Sequence, residues 1–96
     1  MAFVQLIEFT TSDYDKVKAL DDEWERATEG VRTARRSLVT RDRNNPDRHV
    51  VIVFFDSYES AMENSALPAT GKFASEVGTL VDGMAFTDLD VLEDRE

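Results

Sequence analysis

The run His49-Val50-Val51-Ile52-Val53-Phe54-Phe55 decides the fold. β-Branched and aromatic residues dominate it, and neither glycine nor proline interrupts it, so it reads as a strand. Side chains alternate faces along a strand. Val50, Ile52 and Phe54 therefore share one side, and Val51, Val53 and Phe55 share the other. Both sides are apolar, and both need cover.

Working outward, Asn44-Asn45-Pro46-Asp47 is a turn, because Asn and Asp tolerate turn geometry and Pro fixes φ. Before it, Val31 to Arg41 has no helical stripe and reads as a strand. Phe3 to Thr10 (FVQLIEFT) reads as another strand. Between these two, Ser12 is a candidate N-cap with Asp15 three residues on. Tyr14, Val17, Leu20, Trp24 and Ala27 then form an apolar stripe. That predicts a helix over 13–29, stopped by Gly30.

Beyond the central run, Asp56 or Ser57 caps a second helix starting near Tyr58. Leu67-Pro68 interrupts it, since Pro suits a first helical turn, and it resumes to about Val81 with Phe73, Val77, Leu80 and Val81 inward. Asp82-Gly83 makes a turn, Met84 to Leu92 the last strand, and 93–96 a polar tail. The order is β-α-β-β-α-β. It predicts an α+β, ferredoxin-like fold: one domain over 1–96, with an antiparallel four-stranded sheet and two helices on one face.

Right-handed crossovers put both helices on the same side of such a sheet, leaving the other side bare. Val51, Val53 and Phe55 are the trio assigned to the bare side, where each forgoes roughly 1.5–3 kcal/mol of burial. A patch of that kind marks an interface or a ligand groove. A symmetric homodimer, sheet against sheet, covers it most simply.

Composition narrows the function. The 42% apolar content of the 96 residues argues for a packed domain rather than a disordered chain. No cysteine is present, which removes disulfides and thiolate metal sites and suits the cytoplasm. No apolar run is long enough to span a membrane, and Met-Ala-Phe-Val-Gln does not open like a signal peptide. The net charge of −9 repels a phosphate backbone, so no nucleic-acid partner is expected. Nucleophile elbow, phosphate loop, dinucleotide fingerprint and HExxH are all missing, and neither a cofactor nor a metal is expected.

The segment Asn45-Pro46-Asp47-Arg48 leading into Phe54-Phe55-Asp56-Ser57, with Glu59 and Ala61 beyond, resembles the dimeric α+β barrel superfamily, and within it the antibiotic-biosynthesis monooxygenase-like domain. The resemblance implies two subunits with facing sheets, and a cavity between each sheet and its helices or between the sheets. It implies a small apolar or aromatic ligand and, for some members, cofactor-free oxygenase chemistry. Val51, Val53 and Phe55 would line that cavity, with His49 at its mouth. The residues that some members use do not carry over: Phe55 stands where a Trp is frequent, Ala61 near a cavity Tyr, and Ser65 near a helix-two His.

The remaining candidates are single residues. His49 is the only histidine; it suits general-base work near neutral pH, and a strand-end packing role is the plainer reading. Gln5 and Glu8 interrupt the first strand on opposite faces, and a carboxylate such as Glu8 in an apolar pocket could move protons. Trp24 is assigned to the core. Arg35 and Arg36 point to opposite faces, and the inward one is expected to meet Asp88, Asp90 or an anionic ligand.

Overall fold

A computed structural model of the chain describes residues 2–96; Met1, part of the signal-peptide reading, lies outside them. The elements are β1 (Phe3–Thr10), α1 (Tyr14–Ala27), β2 (Arg36–Arg41), β3 (Arg48–Phe55), α2 (Tyr58–Ala66), α3 (Pro68–Val77) and β4 (Asp82–Asp90). The strands form one antiparallel sheet in the order β2-β3-β1-β4. Each crossover skips one strand, as the ferredoxin-like arrangement requires. The helices pack on one face.

Register fixes which face is which. Gln5 lies opposite Val53 and Asp88, Ile7 opposite Val51 and Phe86, and Val39 opposite Val51. These residues look toward the helices. Phe3, Phe55 and Ala61 close one end of the layer, and Phe9, Val17 and Val77 close the other. The opposite face carries Val4 and Leu6, the trio Val50, Ile52 and Phe54, and Leu38 and Leu89. No helix covers it. The two trios of β3 are thus exchanged relative to expectation: Val51, Val53 and Phe55 meet the chain's own helices, and Val50, Ile52 and Phe54 form the open side. Alternation separates the trios but does not say which one the crossovers cover.

Local chemistry explains the element ends. Ser57 caps α2 in a full capping box with Ser60: Ser60 N–H donates to Ser57 Oγ at 3.1 Å, and Ser57 N–H donates to Ser60 Oγ at 3.2 Å. Leu67 is extended and Pro68 starts α3, so the expected break falls between two helices. Ser12 does not cap α1. Its neighbour Thr11 does two jobs instead, accepting from Asp13 N–H at 3.1 Å and donating to the Leu80 carbonyl at 2.9 Å. Gly30 turns the chain out of α1 with φ +83°, a conformation that costs other residues.

β2 is shorter than predicted. Val31 and Arg32 N–H donate to the Thr28 carbonyl at the end of α1, and Thr33 N–H donates to Asn64 Oδ1 of α2 at 3.1 Å, so the chain reaches β3 only at Arg35, whose N–H donates to the Phe54 carbonyl at 2.8 Å. β4 begins two residues early, so Asp82-Gly83 is strand rather than turn, and its pairing with β1 shifts between Glu8 and Thr10.

Candidate functional site

Between the closed ends, the helix layer and the sheet leave a cavity of about 530 Å³. That lies within the roughly 300–1,000 Å³ of small-molecule sites. Its floor is the middle of the sheet, where Ile7, Val51, Val53 and Phe55 are joined by Gln5 and Met84. Its roof is the inner side of α1 and α3, with Val17, Trp24 and Phe73. Apolar surface predominates, as it does in ligand sites that orient a substrate with a few polar groups.

Those polar groups are mostly held by protein partners. Trp24 Nε1–H donates to Thr70 Oγ1 at 2.9 Å, tying α1 to α3 across the roof. Trp24 is therefore half-buried wall rather than sealed core. Gln5 Nε2–H donates to Asp88 Oδ1 at 3.2 Å. Arg32 lays its guanidinium 5.9 Å from the Trp24 ring centre and donates to the Glu25 carbonyl at 2.7 Å. Arg35 donates to Asp56 at 2.9 Å, and Arg36 stacks on Phe54 on the open face. Neither reaches Asp88 or Asp90, because Arg35 enters the sheet beside the end of β3, where Asp56 takes its guanidinium, and the register with Phe54 turns Arg36 away from the helices.

Val51, Val53 and Phe55 all reach the cavity wall. His49 and Glu8 are elsewhere. His49 is buried in the closed end, stacked between Phe9 at 5.4 Å and Tyr14 at 4.8 Å. That places it among packing groups rather than at a mouth. Glu8 lies on the open face, because the alternation that brings Gln5 and Ile7 inward takes Glu8 out. There it pairs with Arg48 at 2.6 Å, and Arg48 also holds Asp42 at 3.2 Å.

A residue absent from the sequence-level candidates is on the wall: Asp21. Tyr14, Val17, Asp21, Trp24 and Thr28 recur at helical spacing, and that stripe faces inward. Burial pushes the Asp21 carboxyl above the ordinary carboxylate range, helped by Glu25 and Asp22 and opposed by Lys18 and Arg32. The spacing was legible, but the charge at its centre disguised it as an outward position. Among the described residues no group of His, Cys, Asp or Glu side chains could hold a metal ion, and no helix is long and apolar enough to cross a membrane.

The fold recurs in proteins of known structure. The cofactor-independent oxygenase SnoaB from Streptomyces nogalater matches with a TM-score of 0.83 at 12% identity, covering 97% of this chain and 95% of that one. The fold is that of the antibiotic biosynthesis monooxygenase-like proteins. A Mycobacterium tuberculosis protein matches at 0.81 with 17% identity over the full length of both chains. A Deinococcus radiodurans protein with the provisional name antibiotic biosynthesis monooxygenase matches at 0.79 with 16% identity, covering 100% of this chain and 97% of that one. No protein-family model and no curated protein sequence matches the chain.

Proposed function

We propose that the chain works as a homodimer in which each subunit holds a small apolar or aromatic organic molecule between its sheet and its helices. The observation that carries this reading is the cavity of about 530 Å³, lined by Val51, Val53 and Phe55 below and by Trp24 and Phe73 above. The dimer reading rests on the open face, where Val4, Leu6, Val50, Ile52 and Phe54 form an apolar surface with no helix over it. A second copy laid sheet to sheet buries it by the same patch on both subunits. The cysteine-free composition favours the cytoplasm.

Similarity to a cofactor-independent oxygenase supports oxidation of the bound molecule as the activity. In that reading the protein supplies position and exclusion of water, and the substrate itself reacts with dioxygen. A second reading, a non-catalytic binding module, is favoured by helix α2: Ala61 and Ser65 carry no ionisable group where a cavity Tyr and His occur in some proteins of this kind.

Two measurements test these readings. Titration with 1-naphthalenemethanol, followed by amide NMR, should shift Val51, Val53 and Phe55 before any residue of the open face. Saturation without movement of those signals removes the cavity reading. With 1,8-dihydroxyanthrone, dioxygen uptake above the spontaneous rate supports the oxygenase; binding without added uptake leaves the binding module.

A further inference from the structure

The cavity wall has an imbalance of charge. Among the described residues four cationic side chains touch it, and each is committed to another group. Lys18 Nζ lies 2.9 Å from Asp22, Arg35 pairs with Asp56, Arg32 lies 3.7 Å from Glu25 Oε1, and Arg36 stacks on Phe54 behind the sheet. Of the two acids on the wall, Glu25 is the one paired with Arg32. Asp21 is left over: among the described residues its carboxylate accepts no hydrogen bond and joins no ion pair.

Its position makes this costly. Asp21 holds the centre of the inward stripe of α1, between buried Val17 and the Trp24 indole. An apolar residue there would fill the roof without any desolvation of charge. A carboxylate at that point, facing a lined void, is arranged for a partner that arrives from outside. Trp24, Phe73 and Phe86 share the cavity lining with it, and the Trp24 ring already has one cation near it. The net charge of −9 raises the local concentration of cations and lowers that of anions.

Resting on the cavity reading above, we propose that Asp21 is the specificity-determining group of the site, and that it selects an aromatic amine in its ammonium form. The ring lies on Val51, Val53 and Phe55, and the ammonium donates to Asp21. A charged donor gains more from a partly dry carboxylate than a neutral hydroxyl does, and an anion is repelled. Bound cation also draws the Asp21 carboxyl back toward its ordinary range.

Three probes share one ring and differ in charge: 1-naphthylmethylamine, 1-naphthalenemethanol and 1-naphthylacetate. By calorimetry at pH 7 the amine should bind about tenfold more tightly than the alcohol, the difference between charged and neutral hydrogen bonds, and the acetate most weakly. In Asp21→Asn the amine should fall to within about twofold of the alcohol, while the alcohol's own affinity holds. Asp94→Asn, the same charge change in the exposed tail, should keep the full preference. Asp21→Leu repeats the test if the amide variant misfolds. Equal binding of amine and alcohol to the wild type overturns the ammonium assignment and leaves the cavity standing. So does a preference that survives in Asp21→Asn, which makes it a property of net charge alone. If none of the three binds, the cavity reading itself fails and this assignment goes with it.

Discussion

The two faces of this sheet are built from nearly the same residues and have different fates. On the helix side, Phe3, Phe9 and Phe55 are at most 5% exposed, because α1, α2 and α3 close over both ends of the sheet. On the other side, Val50, Ile52 and Phe54 stay half-buried, shielded only by their neighbours in the sheet, and Leu38 and Leu89 are about two-fifths exposed at 38% and 41%. Hydrophobicity does not distinguish the faces; the handed crossovers do. The helix side is divided in turn. Its ends are packed, and its middle is left open with one carboxylate in the roof, that of Asp21, outside any ion pair among the described residues.

Removing a packed aromatic should break this comparison most severely. Phe55 belongs to the core cluster with Phe3 and Ala61, its ring 6.3 Å from that of Phe3. Phe55→Ala should cost about 3–5 kcal/mol in urea unfolding, the range for a buried aromatic cut to alanine. A loss below about 1 kcal/mol would mean that Phe55 is not part of the core.

The open face is tested by charge. Ile52→Lys places an ammonium at the centre of the proposed sheet-to-sheet contact, opposite Leu6 on one side and Leu38 on the other. A buried, unpaired charge should weaken dimerisation by about a hundredfold or more, with the unfolding transition of the isolated subunit little changed. Sedimentation or light scattering reads the outcome. A wild type that stays monomeric at micromolar concentration removes the homodimer, and a variant that dimerises normally moves the contact to another surface.

The hollow middle is tested by filling it. Val53→Phe adds a ring to empty space between β3 and the roof. It should reduce binding of 1-naphthalenemethanol about tenfold or more while stability moves by no more than about 1–2 kcal/mol, since the added atoms enter a void rather than a packed core. Unchanged affinity would show that the probe sits elsewhere.

How much of this was legible in the sequence depends on the periodicity that each feature uses. Strand alternation reveals that β3 has two apolar sides, and the element order gives the topology. Neither assigns Val51, Val53 and Phe55 to the helix face, because that depends on register with β1 and on the hand of the crossovers. The break at Leu67-Pro68 and the Ser57 cap were readable, since Pro and Ser act through the backbone close to their own positions. The start of β2 was not, because Thr33 is held by Asn64 and Ser60, partners about thirty positions away. His49 is the lone imidazole, yet tertiary packing holds it between two rings. Asp21 is hard to read for the opposite reason: its spacing is inward, but its charge is that of an outward position.

The smallest expected effect separates two aspartates by the sign of their pH dependence. Asp56 is exposed, and its hydrogen bond with Arg35 holds its carboxyl below the usual range. The folded state thus favours ionised Asp56; its contribution is present at neutral pH and fades as pH falls through the carboxylate range. Asp21 is shifted the other way by burial, so the folded state binds its proton more readily than the unfolded chain does. Its ionisation therefore works against folding at neutral pH, and that penalty disappears below the ordinary aspartate pKa, where both states are protonated. Asp21→Asn should raise the melting temperature at pH 7 and lose that advantage on acidification toward pH of about 3.5, which lies below the reference aspartate value. Asp56→Asn should lower it slightly at pH 7, within the small range of surface ion pairs, and converge with the wild type in acid. Thermal unfolding of both variants at the two pH values decides it. An Asp21→Asn variant less stable than the wild type at pH 7 would show that the carboxylate already has a stabilising partner in the folded chain, and the cavity would then have no need of a cation from outside.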